Sequence, residues 1–174
     1  MSSRTCMEAA LAKLNYRMRT VSELRRMLLE LGYEAEETEE TLEELKEFGY
    51  LDDLRYASEF FRSSRRKNWS RARIIRTLKE KGISGELAAR AIGELESSED
   101  ASLTGISFDE RETALKAGVK MAESQIRGGR PIDENFLRKV ARRLTSLGYD
   151  PGCCYYVINR LRDQKDSFEE EDLI

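Results

Sequence analysis

The chain has 174 residues, 40% hydrophobic and 36% charged, which describes a soluble, helix-rich protein long enough to bury a useful core as one domain or as a run of small units. No apolar run approaches the roughly 18 residues of a membrane span, the N-terminus lacks a hydrophobic export segment, and Cys6, Cys153 and Cys154 form no disulfide framework, so a cytoplasmic protein with reduced thiols is expected. There is no histidine, the commonest general base and metal ligand, and no Cys-x-x-Cys pair, Gly-rich phosphate loop or nucleophile elbow, so no catalytic residue, cofactor or metal is expected.

Helical spacing runs through the chain and no strand pattern competes, so the expected class is all-α. Thr5 to Arg17 predicts a first helix with Met7, Ala10, Leu11 and Leu14 on its buried side. Ser22 reads as the cap of a second, which carries Leu24, Leu28 and Leu31 to a stop at Gly32. A third spans about Ala35 to Phe48, with Thr38, Leu42, Leu45 and Phe48 inward and glutamates outward. Gly49 ends it, because Gly takes a left-handed backbone without a Cβ penalty. Asp52 then reads as the N-cap of a fourth helix, with Leu51 and Tyr56 at the two positions of a hydrophobic staple. Tyr56, Ala57, Phe60, Phe61 and Ser64 share its inner face, and Arg55, Glu59, Arg62 and Arg66 lie opposite. Ser70 caps a fifth, which buries Ile74, Ile75 and Leu78. Lys81-Gly82-Ile83-Ser84 stops that helix and caps a sixth, carrying Leu87, Ala88, Ala91, Ile92 and Leu95.

Residues 98–109, rich in Ser, Asp and Gly, read as a linker. The seventh helix carries Ala114, Leu115, Val119, Met121, Ala122 and Ile126 to a break at Gly128-Gly129-Arg130-Pro131. The eighth carries Phe136, Leu137, Val140, Ala141, Leu144 and Leu147 to Gly148. Asp150 before Pro151 matches an N-cap followed by proline at the first helical position. The ninth helix holds Cys154, Tyr155, Val157, Ile158 and Leu161, and an acidic tail is expected over 164–174.

With Gly32, Gly82 and Gly148 in register, a repeat emerges. Four residues before each glycine stands Leu28, Leu78 or Leu144, and eight before stands Leu24, Ile74 or Val140. One after comes Tyr33, Ile83 or Tyr149; ten after, Leu42, Ile92 or Ile158; thirteen after, Leu45, Leu95 or Leu161. Each helix, glycine turn and helix is preceded by another helix. The expectation is three tandem three-helix repeats over 1–50, 51–97 and 110–163, stacked as an elongated, curved, right-handed or solenoid-like array.

The stretch Gly49-Tyr50-Leu51-Asp52-Asp53-x-Arg55-Tyr56-Ala57, an Arg/Lys-rich segment and then Arg73-Ile74-x(4)-Leu78-x(2)-Lys81-Gly82-Ile83-Ser84 resembles the RecX regulatory proteins, which modulate the recombinase RecA. The resemblance is strongest over Leu24 to Glu96. It implies tandem three-helix repeats, in agreement with the periodicity. It also implies a non-enzymatic, monomeric regulator in DNA repair, recombination and the SOS response. Such a protein lodges against the RecA filament along its helical groove and limits extension, ATP hydrolysis and strand exchange. Family members often carry glycines around the turn where this chain has Asn68 and Ser70. The motif residues Gly49, Tyr50, Leu51, Asp52, Asp53, Arg55, Tyr56 and Gly82 read as fold punctuation: stop, staple and cap.

Charge is segregated despite a net value of −3. Glutamates crowd Glu34 to Glu47, where a solvated helix face is a better reading than a metal cluster. The neighbouring stretch is basic. Arg62, Arg65, Arg66, Lys67, Arg71, Arg73 and Arg76 flank a turn bearing Trp69, an arrangement suited to phosphates with a base to stack on, to an acidic protein surface, or simply to solvent. Trp69 discriminates: a ring packed in the core is structural, an exposed one a contact hot spot. Arg138, Lys139, Arg142 and Arg143 form a second basic set on the eighth helix. The candidate partners are therefore the RecA filament and single- or double-stranded DNA. A plain DNA-binding protein with helix-turn-helix-like units is the alternative, weakened because the helices after the turns are acidic or nearly neutral. A helical scaffold for another protein is the third reading.

Overall fold

A computed structural model describes residues 4–97 and 109–171, with only the backbone described for 164–171. The expected linker lies outside the described residues except for Asp109, as do residues 172–174 of the expected tail. The described residues form nine α-helices and no strand: α1 (Cys6–Tyr16), α2 (Val21–Glu30), α3 (Ala35–Glu47), α4 (Asp53–Arg66), α5 (Arg71–Glu80), α6 (Gly85–Ser97), α7 (Glu110–Arg127), α8 (Glu134–Ser146) and α9 (Pro151–Glu171). The chain divides into two compact units, Met1–Phe61 with Ile75–Ser98, and Arg62–Ile74 with Glu99–Ile174.

One stop recurs along the chain. Gly32, Gly49, Asn68, Gly82, Gly129 and Gly148 have φ between 58° and 93°. The N–H of the residue after each donates to a carbonyl one turn back in the helix: Tyr33 to Leu28 (3.3 Å), Tyr50 to Leu45 (2.9 Å), Trp69 to Ser64 (3.1 Å), Ile83 to Leu78 (3.0 Å), Arg130 to Gln125 (3.1 Å) and Tyr149 to Leu144 (3.2 Å). This pairing satisfies carbonyls that the helix end leaves orphaned. Asn68 replaces glycine at one stop, and Asn is the side chain that best tolerates this backbone.

In the first unit, α1, α2 and α3 pack on one another around Cys6, Ala9, Ala10, Leu24, Leu28, Leu42, Leu45 and Leu51. The inner face of α1 is turned from the expected one. Its small residues Cys6, Ala9 and Ala10 are buried, while Met7, Leu11 and Leu14 are half-buried at its flanks. The cap of α2 is Thr20 rather than Ser22: Thr20 Oγ1 accepts from Glu23 N–H (3.0 Å), and Glu23 accepts in return from Thr20 N–H. The reciprocal box requires an acid three residues on, and Ser22 has Arg25 there. Leu31 and Phe48, expected inside, are 55% and 66% exposed; each is the last residue before a left-handed stop, a position that Leu147 by contrast buries.

Two contacts tie the start of α2 to the segments that follow. Thr20 Oγ1 donates to the Lys81 carbonyl (2.7 Å) at the end of α5, and Asp53 Oδ1 at the start of α4 accepts from Val21 N–H (3.0 Å). Lys81 Nζ adds an ion pair to Glu23 (2.7 Å). The approach is close: a Cβ on Gly82 would stand 2.2 Å from Ser22 Cβ.

The second unit repeats the arrangement. Ser70 caps α5, its Oγ accepting from Arg73 N–H (3.1 Å) and donating to the Gly148 carbonyl (2.7 Å). Glu110, the first residue of α7, accepts from Arg71 N–H (2.9 Å), as Asp53 does from Val21. A Cβ on Gly148 would lie 2.6 Å from both Arg73 Cβ and Ser70 Oγ. Around α7, α8 and α9 the core is built from Ala114, Phe136, Val140, Leu144, Val157 and Leu161, among others. Asp133 and Asp150 cap α8 and α9, with Pro151 at the first helical position as expected.

Tyr155, expected inside, is 69% exposed. Cys153, Val157 and Leu161 define the buried stripe of α9, and Tyr155 falls on the opposite side of a helix with 3.6 residues per turn. Ile126, 47% exposed, lies in the last turn of α7, beyond the stretch that α8 and α9 cover. All three cysteines are buried and free, and burial pushes the Cys153 thiol up to about 11. α9 continues to Glu171, past the point where composition suggested a tail. Its glutamates are good helix formers.

The register predicts unequal costs for one chemical change. Gly32→Ala meets open space and should lose only the left-handed penalty of about 1–2 kcal/mol. Gly82→Ala and Gly148→Ala add a backbone-displacing clash, and each should cost at least about 1–3 kcal/mol more; urea midpoints of the three variants check the ranking. Glu23 offers a second test. Burial pushes its carboxyl up, but the hydrogen bond and charge of Lys81, with Arg17, outweigh this and hold it below the ordinary 4.5. A lowered folded pKa gives stability that is complete above the unfolded value and lost as pH falls through the folded one. Glu23→Gln should therefore flatten part of the stability loss seen between about pH 5 and pH 3.

Candidate functional site: the basic surface

The sequence-predicted cations separate into two classes. Arg66 and Lys67 at the end of α4, Arg76 on α5, and Arg138, Lys139, Arg142 and Arg143 on α8 are exposed. The α8 set lies on the side away from buried Phe136, Leu137, Val140 and Leu144, so an amphipathic helix presents its cations as one stripe. Arg62, Arg71 and Arg73 are half-buried.

Arg65 is not on the surface. Its side chain is 1% exposed, and four acceptors converge on it. Nη1 donates to Glu110 Oε1 (2.7 Å) and to the Trp69 carbonyl (3.1 Å), while Nη2 donates to Thr113 Oγ1 (2.7 Å) and the Asp109 carbonyl (3.2 Å). Glu110 also holds the first N–H of α5. One planar guanidinium thus joins the end of α4, the turn, the start of α5 and the start of α7. A fork of fixed donors suits this task, which a lysine could not perform.

Trp69 is also tied to the structure. Its ring packs against the core of the second unit, and the Arg73 guanidinium lies 3.9 Å from the ring centroid. Arg73 Nη1 donates in addition to the Ser146 carbonyl. The turn is pinned from the other side by Tyr149, whose hydroxyl donates to the Asn68 carbonyl (2.9 Å). Its phenol is pushed well up by burial. The indole is thus half-buried, packed against the core and covered by an arginine, and falls between the two cases that the sequence distinguished.

The motif residues resolve into separate tasks. Gly49 takes the left-handed stop, Leu51 and Tyr56 are buried, and Tyr56 stacks with Phe60 at 6.2 Å. Asp52 caps its own helix, accepting from Arg55 N–H (2.9 Å), and Arg55 itself is exposed. Asp53 serves the preceding helix pair through Val21 N–H. Burial pushes its carboxyl above the ordinary 3.8 against the pull of that N–H and of Lys46.

This reach was missed from sequence, as was its counterpart in the third triplet. Asp109 caps α7 by accepting from Glu112 N–H (2.8 Å), and Glu110 reaches back to α5. The signal was present: Phe108-Asp109-Glu110 followed by Thr113-Ala114 repeats Leu51-Asp52-Asp53 followed by Tyr56-Ala57. No group of three or more metal-ligating side chains is brought together among the described residues, and none of the described helices is long and apolar enough to cross a membrane.

Comparison with known proteins adds sequence and fold relationships. Residues 6–45 match the family model for the first three-helix domain of RecX, and residues 52–92 match that for the second. The regulatory protein RecX of Trichlorobacter lovleyi is 30% identical over 147 residues, 83% of this chain and 87% of the relative. That of Clostridium perfringens is 29% identical over 161 residues, 92% of this chain and 70% of the relative. The crystal structure of RecX from Lactobacillus salivarius superposes with a TM-score of 0.66 over 90% of this chain and 94% of that one, at 21% identity, a likeness of fold.

Arg65→Ala should destabilise the second unit by about 1–3 kcal/mol, because the Trp69 and Asp109 carbonyls and Thr113 Oγ1 lose their donor. Arg66→Ala, on the adjacent exposed position, should change stability by no more than about 0.5 kcal/mol. Fluorescence of Trp69, the one tryptophan in the chain, followed through urea unfolding measures both.

Proposed function

The chain belongs to the RecX family of regulatory proteins, and from that premise we propose that it is a non-enzymatic, cytoplasmic regulator of RecA, binding the recombinase filament and limiting its extension, ATP hydrolysis and strand exchange. The observation that carries this reading is the reach of the resemblance. It extends over 92% of the chain against one relative, well beyond the two domains that the family models match. The third triplet therefore lies within the length over which the chain resembles that relative.

The contact surface follows from the sorting of cations. Once Arg65, Arg73 and Trp69 are assigned to the fold, the groups free to meet a partner are Arg66, Lys67 and Arg76, and the α8 stripe of Arg138, Lys139 and Arg142. Exposed cations of this kind recognise acidic protein surfaces or phosphates and make binding salt-dependent. The helices that follow the glycine turns fit poorly into a DNA groove: eight glutamates of α3 and its cap, Glu34, Glu36, Glu37, Glu39, Glu40, Glu43, Glu44 and Glu47, are exposed.

The test is the ATPase rate of RecA filaments on single-stranded DNA, with this protein titrated from far below stoichiometry and DNA varied in parallel. Inhibition at well under one copy per recombinase subunit, unchanged by added DNA, is expected. Inhibition only at DNA-coating amounts, relieved by more DNA, would instead identify a plain DNA-binding protein. Reversing Arg138, Lys139 and Arg142 to Glu together should raise the half-inhibitory concentration at least about tenfold, with the unfolding midpoint nearly unchanged.

A further inference from the structure

The corner between α3 and α4 in the first unit carries two aromatics that the fold does not use. Phe48 is 66% exposed and Tyr50 62%. Tyr50 stands directly after a left-handed stop, where an apolar residue ordinarily folds back onto its own helix. Its counterparts do so here: Ile83 and Tyr149 are buried, and Tyr33 and Trp69 are half-buried against the cores. At Gly49 that packing role passes to the next residue. Leu51 is 4% exposed, and its N–H, like that of Tyr50, donates to the Leu45 carbonyl (3.1 Å). Tyr50 is thereby left in solvent beside Phe48.

Next to this corner, at Gly49 between the two aromatics in sequence, opens a cavity of about 450 Å³ lined by Val21, Lys46, Leu51, Asp53, Leu54 and Leu87 among others; the two aromatic rings stand outside its lining. Its walls combine the apolar Val21, Leu51, Leu54 and Leu87 with the charged Lys46, Asp52 and Asp53, and its surroundings are acidic. Glu44 and Glu47 on α3 and Asp52 at the start of α4 are exposed, and the one nearby cation on α3, Lys46, is engaged by Glu43 at 2.7 Å. Aromatic faces attract cations, and carboxylates around an apolar slot favour a cation flanking an apolar side chain. The same carboxylates repel phosphate, so a nucleic acid is the wrong occupant.

We propose that the Phe48–Tyr50 corner and its cavity form a docking site for a cationic protein segment, one that places an apolar side chain in the slot and lysines or arginines against the aromatics and the α3 carboxylates. This surface uses none of the α8 cations, carries the opposite charge, and does not rest on the recombinase reading.

The probe is a short amphipathic peptide of lysine and leucine, with a glutamate and leucine peptide and single-stranded DNA as controls, titrated into the isotope-labelled full chain. Amide shifts are expected to concentrate on Lys46 to Leu54 and on Leu87 with the lysine peptide alone. The double variant Phe48→Ser with Tyr50→Ser should weaken binding at least about tenfold, as loss of interface aromatics does, and leave the unfolding midpoint unchanged. Glu44→Lys with Glu47→Lys should weaken it as well and reduce its salt dependence. Equal affinity in the aromatic variant, with shifts spread along all of α3, would overturn the site in favour of diffuse charge attraction. Absence of shifts up to about millimolar peptide, or the same shifts with either control, would overturn it too.

Discussion

A hydroxyl at the start of one helix, donated to a carbonyl at the stop of another, is the contact on which both units are built. Thr20 gives it to the Lys81 carbonyl and Ser70 to the Gly148 carbonyl. Helix starts carry spare N–H groups and helix ends spare carbonyls, so placing a capped start against a left-handed stop satisfies both within one contact. The contact requires the absence of a Cβ at Gly82 and Gly148, where Ser22 Cβ and Oγ, or Arg73 Cβ and Ser70 Oγ, come too close for one. Gly32, at the same register position, meets nothing within 4 Å. Its conservation of type within the repeat is a matter of backbone handedness alone.

A second device accompanies the first. The acid opening α4, Asp53, accepts from the first N–H of α2, and the acid opening α7, Glu110, does the same for α5. The reinforcement then differs. In the first unit a Glu23–Lys81 ion pair, partly exposed, holds the corner. In the second, the buried guanidinium of Arg65 gathers the acid, two carbonyls and a hydroxyl. The same backbone geometry is thus held by a single Lys–Glu ion pair in one place and, in the other, by a buried guanidinium that shares its donors among a carboxylate, a hydroxyl and two carbonyls.

The division of charge has consequences for function. A stretch that reads as uniformly basic contains a structural guanidinium, an arginine stacked on Trp69 and a set of exposed cations, and the last are the most open to an acidic partner. The acidic α3 and the exposed Phe48 and Tyr50 offer the complementary chemistry elsewhere on the chain. A regulator with two surfaces of opposite charge can contact unlike partners without one site competing for the other's ligand.

Much of this was determined by the sequence itself. Periodicity, the glycine register and the caps at Asp52, Ser70, Ser84 and Asp150 are local chemistry, written within four residues of where they act, and the helices form where those signals place them. The buried positions at four and eight residues before each repeat glycine are likewise all fully enclosed. Only the tertiary structure decided which polar groups are consumed by distant partners. That Arg65 is interior, that Asp53 serves Val21, and that Phe48 and Tyr50 remain outside all depend on residues tens of positions away or on which neighbour takes the packing role. A cation's sequence neighbours cannot tell whether four acceptors will converge on it. Burial is a property of the assembled helices, and so the exposed cations are separated from the structural ones only in the tertiary structure.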